Sequence, residues 1–274
     1  MALIEGSFRM QASSPTSMFS CYKFTVAENI RGLDYASVMT MRTVEWTALR
    51  PRDEEPAVEG LRERKKRILR RQLSDTATEM FMERGFDAVR VAEIAEACGV
   101  SEKTVFNYFP TKESLVLDLG EATLNSLRTT LADPDLSPVD AALKILSSEL
   151  ANITSWLSSQ NDPAEAKAML LRFGMLIRST PSLRAYQRNT ADHQVAVAAE
   201  VLAQRTGMGP DDPEPQIAAT ALLALWPIQF RALRKHLNRA QTFEELHDAV
   251  SADVQRAARL IAIGLNSLAP GRRS

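Results

Sequence analysis

Cysteine is nearly absent from this 274-residue chain, which contains only Cys21 and Cys98. Two thiols exclude a disulfide framework and a cysteine zinc site, and they suit a reducing cytoplasm. Histidine is almost as scarce: His193, His236 and His247 show no i, i+4 pairing on one helix, so no metal and no cofactor is expected. Long apolar runs are missing too. The most apolar stretch, Ile217–Ile228, is twelve residues long, against the roughly 20 needed to cross a bilayer. Glu5, Arg9 and Lys23 interrupt the first thirty residues, leaving no apolar core for a secretory signal. The expectation is a cytoplasmic protein with no membrane partner. A net charge of −1, from 33 Lys and Arg against 34 Asp and Glu, excludes a uniformly basic nucleic-acid coat, so any contact with a polyanion must be local. The chain also lacks G-x-S-x-G, H-E-x-x-H, a P-loop and a dinucleotide fingerprint, and an enzyme is therefore not expected.

What is present is mostly helical pattern. Residues 1–57 hold five of the ten methionines, keep no helical or alternating period and end in the charged run Arg50-Pro-Arg-Asp-Glu-Glu-Pro56. They read as a poorly ordered extension, with a short helix around 24–41 as the alternative. Translation could begin at Met39 or Met41, which leaves open whether residues 1–40 are made. From Leu61 onward one helix follows another, and the expected fold class is all-α. Leu69, Leu73, Ala77 and Met80 with Phe81 are spaced for one buried face, and Gly85 stops that helix. A short helix fits Val91–Cys98, and Ser101 caps another reaching Tyr108. Pro110-Thr111 opens a helix expected to run through Leu115 and Leu119 toward Leu131. Ser137-Pro138 opens an amphipathic helix, and further helices fit Pro163 to Arg178, Ser182 to Arg205, Pro213 to Asn238 and Phe243 to Leu268. Pro227 should kink the helix begun at Pro213.

The segment Val91–Tyr108 has the spacing of a helix-turn-helix: Ala95 is small enough for a close crossing, Gly99 can take a positive φ, and Val100 can plug the corner. Just before it, Arg62, Arg64, Lys65, Lys66, Arg67, Arg70 and Arg71 face only Glu63, a net of six positive charges within ten residues. A dense basic segment beside a helix-turn-helix is the footprint of phosphate binding. On the short helix from Ser101, Lys103 and Asn107 share one face and Thr104 and Tyr108 an adjacent one, whereas Val105 and Phe109 point to the core. Lys103 can donate to guanine O6 or N7, and Asn107 can pair with an adenine edge. Thr104, Tyr108 and Lys112 are expected at phosphates, where they would set register without reading sequence.

Across Leu61–Leu117 the chain resembles the TetR family of one-component transcriptional regulators. The resemblance rests on Phe81-x-x-x-Gly85-Phe86, on Val91-Ala-Glu-Ile-Ala-Glu-Ala-Cys-Gly-Val-Ser101 and on Thr104-Val-Phe-Asn-Tyr-Phe109-Pro-Thr-Lys-Glu-Ser-Leu115. It implies a three-helix DNA-binding domain, 58–112, and a larger helical domain, 113–268, for effector binding and dimerisation, followed by a tail, 269–274. The expected function is a ligand-responsive regulator, in most members a repressor, that leaves a pseudo-palindromic operator in double-stranded DNA when a small effector binds. The alternative is a small-molecule-binding or interaction protein on the same fold without operator binding. Where the family usually has Thr before the first helix of the motif this chain has Val89-Arg90, and Phe106 replaces a common Tyr. Lys65, Lys66, Arg90 and Ser101 join the expected DNA contacts. Trp156, Met169, Phe173, His193, Trp226 and Phe230 are the expected effector-binding residues, their apolar character suiting a lipophilic ligand. Residues 213–238 are apolar nearly all round, so a homodimer is expected, with Leu225 and Val254 as test positions for an outward face. The helix begun at Thr111 is the expected mechanical path between the domains.

Overall fold

The computed structural model describes residues 60–117 and 120–265. The extension 1–57, the alternative helix across 24–41, Leu119 and the tail 269–274 lie outside them. The described residues form ten α-helices and no strand. Helix α1 (Leu61–Arg84) places Leu73, Ala77 and Phe81, four residues apart, on a fully buried face, and Gly85, at φ 87°, ends it. Helices α2 (Val91–Ala97) and α3 (Glu102–Tyr108) make the helix-turn-helix. Their corner is a Schellman turn: the Gly99 amide donates to the Glu96 carbonyl at 3.1 Å and the Val100 amide to that of Ala95 at 2.9 Å. Gly99 takes the positive φ of 68° that this turn requires.

Seven longer helices follow: α4 (Gly120–Thr130), α5 (Pro138–Ser159), α6 (Pro163–Ser179), α7 (Pro181–Thr206), α8 (Pro213–Leu223), α9 (Leu225–His236) and α10 (Phe243–Leu265). Proline stands in the first turn of α5, α6, α7 and α8, where its missing N–H costs nothing. At α10 the Glu245 amide donates to Thr242 Oγ1, and the Glu245 carboxylate accepts from the Gln241 amide, a reciprocal cap at the helix start. Two cores result. The larger one is made of α4–α10, rich in Leu and Ala, with α6 contributing Ala166. The smaller one belongs to α1–α3 and the turn after them, and it is completed by Leu183 at the start of α7.

Three expectations are corrected. The segment after Thr111 is not one helix. The Thr111 and Ser114 side chains bond each other's main chain and close only a 3-10 turn, Glu113–Leu115. Leu115, Val116 and Leu117 are then buried in succession, which no single helix face can do at 100° per residue. Second, residues 213–236 divide into α8 and α9 at Ala224. Pro227 has no N–H to offer the Leu223 carbonyl four residues earlier, and α8 stops there. Third, Leu225 and Val254 do not face outward: both are buried in the larger core, because α9 and α10 turn their apolar stripes against each other and against α5.

Candidate nucleic-acid interface

The two helices of the motif are held by main-chain bonds from charged side chains. Arg70 of α1 donates to the Tyr108 carbonyl at 2.7 Å and lies 4.5 Å above the Phe109 ring, pinning the end of α3. Ser74 reaches the Leu115 carbonyl at 2.7 Å in the buried interior. At the start of α2, where a hydroxyl cap is missing, the Glu93 carboxylate accepts from the Arg90 amide and from Arg84, both at 2.8 Å. These two bonds, the Arg90 amide first, hold the Glu93 carboxyl below its ordinary range. The absent Thr is thus replaced by the acid three residues on. The Arg90 guanidinium stays exposed.

On α3 the inward residues are Val105 and Phe109, fully buried as the spacing requires. Ser101 Oγ accepts from the Thr104 amide and bonds the Thr104 hydroxyl at 2.8 Å, so both hydroxyls serve the helix start. Tyr108 is half-buried against the small core. What α3 leaves exposed is Glu102, Lys103, Phe106 and Asn107. Lys65 and Lys66 stand exposed on the first turns of α1, Lys66 in a loose 3.9 Å pair with Glu63.

Lys112, expected at a phosphate, is engaged within the unit. Its ammonium donates to the Phe86 carbonyl at 2.6 Å and sits 4.4 Å over the Phe86 ring and 5.4 Å over that of Phe81. Burial lowers its pKa. A cation bound to a carbonyl and two ring faces clamps the segment after α3 to the turn after α1.

These elements match known regulators. The family "Bacterial regulatory proteins, tetR family" matches residues 73–119, and "MftR C-terminal domain" matches residues 158–259. HTH-type transcriptional regulator TcmR of Streptomyces glaucescens is 31% identical over 157 residues, which cover 56% of this chain and 67% of that protein. The chain belongs to the TetR family of transcriptional regulators. HTH-type transcriptional regulator LuxR of Vibrio harveyi is 41% identical over 64 residues, 23% of this chain and 31% of that protein. The crystal structure of a TetR transcriptional regulator from Rhodococcus sp. RHA1 is 19% identical, covering 73% of this chain and 98% of that one at a TM-score of 0.33. The relatives named here are regulators rather than enzymes, and no described helix is long and apolar enough to cross a membrane.

The six expected effector residues of this TetR-family chain are not brought together. Trp156 and Trp226 lie in the larger core, Met169 is half-buried on α6, and His193 and Phe230 are exposed. Phe173 packs instead against the small core of the DNA-binding unit, beside Leu176 and Ile177. The shallow surface groove lined by Thr154, Ser155, Ser158, Phe243, Glu244 and His247 touches none of them. The sequence reading missed a polar group inside the larger domain. Glu149 of α5 meets the Thr123 hydroxyl of α4 at 3.3 Å. Burial pushes its carboxyl up to about 7, against the downward pull of Thr123 and of the Trp226 indole N–H. That N–H is buried and stops short of a full hydrogen bond. Gln229, one turn along α9, is buried as well. The available signal was a lone acid three residues after Leu146 and one before Leu150, at the edge of an apolar stripe.

Proposed function

We propose that this TetR-family protein is a cytoplasmic homodimeric repressor that holds a pseudo-palindromic operator and releases it when a small lipophilic effector binds. The observation that carries the reading is the outer face of α3. Lys103 and Asn107 lie exposed, four residues apart, on a short helix whose inner face is fixed, and the basic first turns of α1 leave Lys65 and Lys66 exposed in the same unit. A fixed helix with free polar tips can enter a major groove, and a basic segment can neutralise phosphates. In this reading Lys103 and Asn107 read bases, while Lys65, Lys66, Arg90 and Tyr108 hold phosphates and Ser101 and Thr104 fix the helix start. The division between the domains then falls after Leu117, because the 3-10 turn belongs to the small core.

Two features support the regulatory half. Helix α6 turns Leu170 and Leu171, with Met169 beside them, to the larger domain's side, each only partly buried, so a lipophilic molecule seated there would remove apolar surface from water. The Trp226, Gln229 and Glu149 side chains offer that molecule a polar end inside an apolar domain. For the homodimer the outward residues are Ile217 of α8, Phe230 of α9 and Leu260 and Ile263 of α10, the last two 74% exposed. Equivalent patches on two copies would cover one another around a two-fold axis.

The test is selection of duplexes from a random library with the full chain, followed by binding at several salt concentrations. The expected outcome is an enriched site with two inverted half-sites and an affinity that falls steeply with salt. Binding with no sequence enrichment, or none at all, supports the interaction-protein alternative.

A further inference from the structure

The outer face of α3 holds two residues that the DNA-binding reading does not use, Glu102 and Phe106, and only the second is apolar. Phe106 is 43% exposed, the only large apolar side chain of the helix-turn-helix itself, 91–108, that is turned to solvent. It sits three residues after Lys103 and directly before Asn107, so the three side chains form one contiguous patch, with Lys103 and Phe106 about 5–6 Å apart at Cβ. Val105 and Phe109 already supply the inward contacts of α3. The Phe106 ring is therefore not needed to hold the helix.

We propose that Phe106 is a specificity-determining residue that reads the 5-methyl group of a thymine in the operator; the proposal rests on the DNA-binding reading above. The argument is chemical. The edges of base pairs in the major groove are polar donors and acceptors, with one apolar feature, the thymine methyl. A phenyl ring has neither donor nor acceptor. Pressed onto a guanine, adenine or cytosine edge, it would strip water from polar atoms and return no hydrogen bond. Pressed onto a thymine methyl, it removes two apolar surfaces from water at once. A tyrosine at this position would add a hydroxyl able to reach a phosphate or a base, and the phenyl confines the contact to apolar partners. Successive bases on one strand are about 3.4 Å apart. The thymine should accordingly lie within about two base pairs of the bases met by Lys103 and Asn107.

The experiment uses the full chain and the duplex enriched from a random library. Each thymine in one half-site is replaced in turn by uracil, which removes the methyl and leaves every hydrogen-bonding group in place. The expected result is a single thymine whose replacement weakens wild-type binding about fourfold, the value of one methyl taken out of water. Phe106→Ala and Phe106→Leu proteins, checked for an unchanged melting temperature, should bind the thymine site less well. The Ala protein should be indifferent to uracil at that position, while Lys103→Ala should keep the uracil penalty. If no uracil weakens the wild type, or if Phe106→Ala retains the full penalty, Phe106 does not read a methyl group. A library that yields no enriched duplex overturns the DNA-binding reading itself, an outcome distinct from enrichment without methyl sensitivity.

Discussion

The two halves of the molecule use polar side chains in opposite ways. In the DNA-binding unit, Arg70, Ser74, Glu93 and Lys112 each close a named main-chain bond. In the larger domain, Trp226 ends in a buried N–H without a full hydrogen bond, and Glu149 sits beside it with a carboxyl pushed up to about 7. The chain itself is interrupted between α8 and α9 next to that site. Closed bonds over-determine a small unit whose core alone is marginal. Open ones leave polar groups in the larger core that a bound partner would satisfy. In the proposed function the reading head needs the first property and the sensor the second.

The hardest way to break this contrast is to place charge on the two kinds of apolar surface. Leu225 is fully buried in the larger core. Leu225→Asp would strand an unpaired charge there and should cost more than about 4 kcal/mol, unfolding the effector domain. Leu260→Asp, on an exposed residue, should change subunit stability by no more than about 0.5 kcal/mol. It should nonetheless shift the species in sedimentation equilibrium toward the monomer. A folded Leu225→Asp monomer would mean that the burial described for α9 is wrong.

A second substitution tests where the halves are joined. Leu183 belongs to α7 of the effector domain, yet its side chain is fully buried in the small core with Leu73, Phe81 and Phe109. Leu183→Ala should cost about 2–5 kcal/mol. The loss should appear in the DNA-binding unit, as faster amide exchange in α1–α3. Loss confined to α7 would put the coupling path back along the segment after Thr111.

Much of this was legible in the residues. The helix-turn-helix, its glycine corner and the inward role of Val105 and Phe109 follow from spacing, because short helices with one apolar face have few ways to pack. The long helices begin where Ser137-Pro138 and Pro163 announce them, since capping is a local interaction. What local pattern could not supply is the destination of each face. Leu225 and Phe230 are both apolar residues of α9, one turned inward and the other outward, and only the position of α10 and α5 decides which. Lys112 looked like a surface cation because its partners, Phe81 and Phe86, lie 26 or more residues earlier in the chain. Phe173 looked like a pocket wall for the same reason: its neighbours are in the other domain.

A pH experiment sharpens the contrast at smaller amplitude. Glu149 holds its proton to about pH 7 in the folded protein because burial disfavours its charge. An unfolded glutamate ionises near its ordinary value of about 4.3. Below that value both states are protonated and the residue costs nothing. Between it and about 7 only the unfolded chain ionises, so stability falls as pH rises, and above 7 the full penalty remains. Allowing for the part of Glu149 that still reaches water, Glu149→Gln should stabilise the protein by about 1–3 kcal/mol at pH 8 and leave it unchanged at pH 4. Urea denaturation at the two values checks it. An equal gain at both would assign the effect to packing rather than to the charge.

The smallest effect separates the two kinds of basic residue in the DNA-binding unit. Lys66 is exposed, and its 3.9 Å pair with Glu63 joins two exposed side chains one turn apart. Such pairs contribute little, so Lys66→Ala should alter stability by less than about 0.5 kcal/mol. If Lys66 neutralises a phosphate, the same change should lower the slope of log affinity against log salt by about 0.9 and weaken selected and random duplexes alike. Lys103 is exposed too, on α3, and no described residue is bonded to its tip. Lys103→Ala should cost about 1–3 kcal/mol on the selected site and little on random duplex, because a base contact is lost rather than a counterion exchange. The pair of titrations therefore assigns the two lysines by how they fail. Should Lys66→Ala relax preference at one base while Lys103→Ala only flattens the salt slope, α1 rather than α3 would be the element that reads the groove.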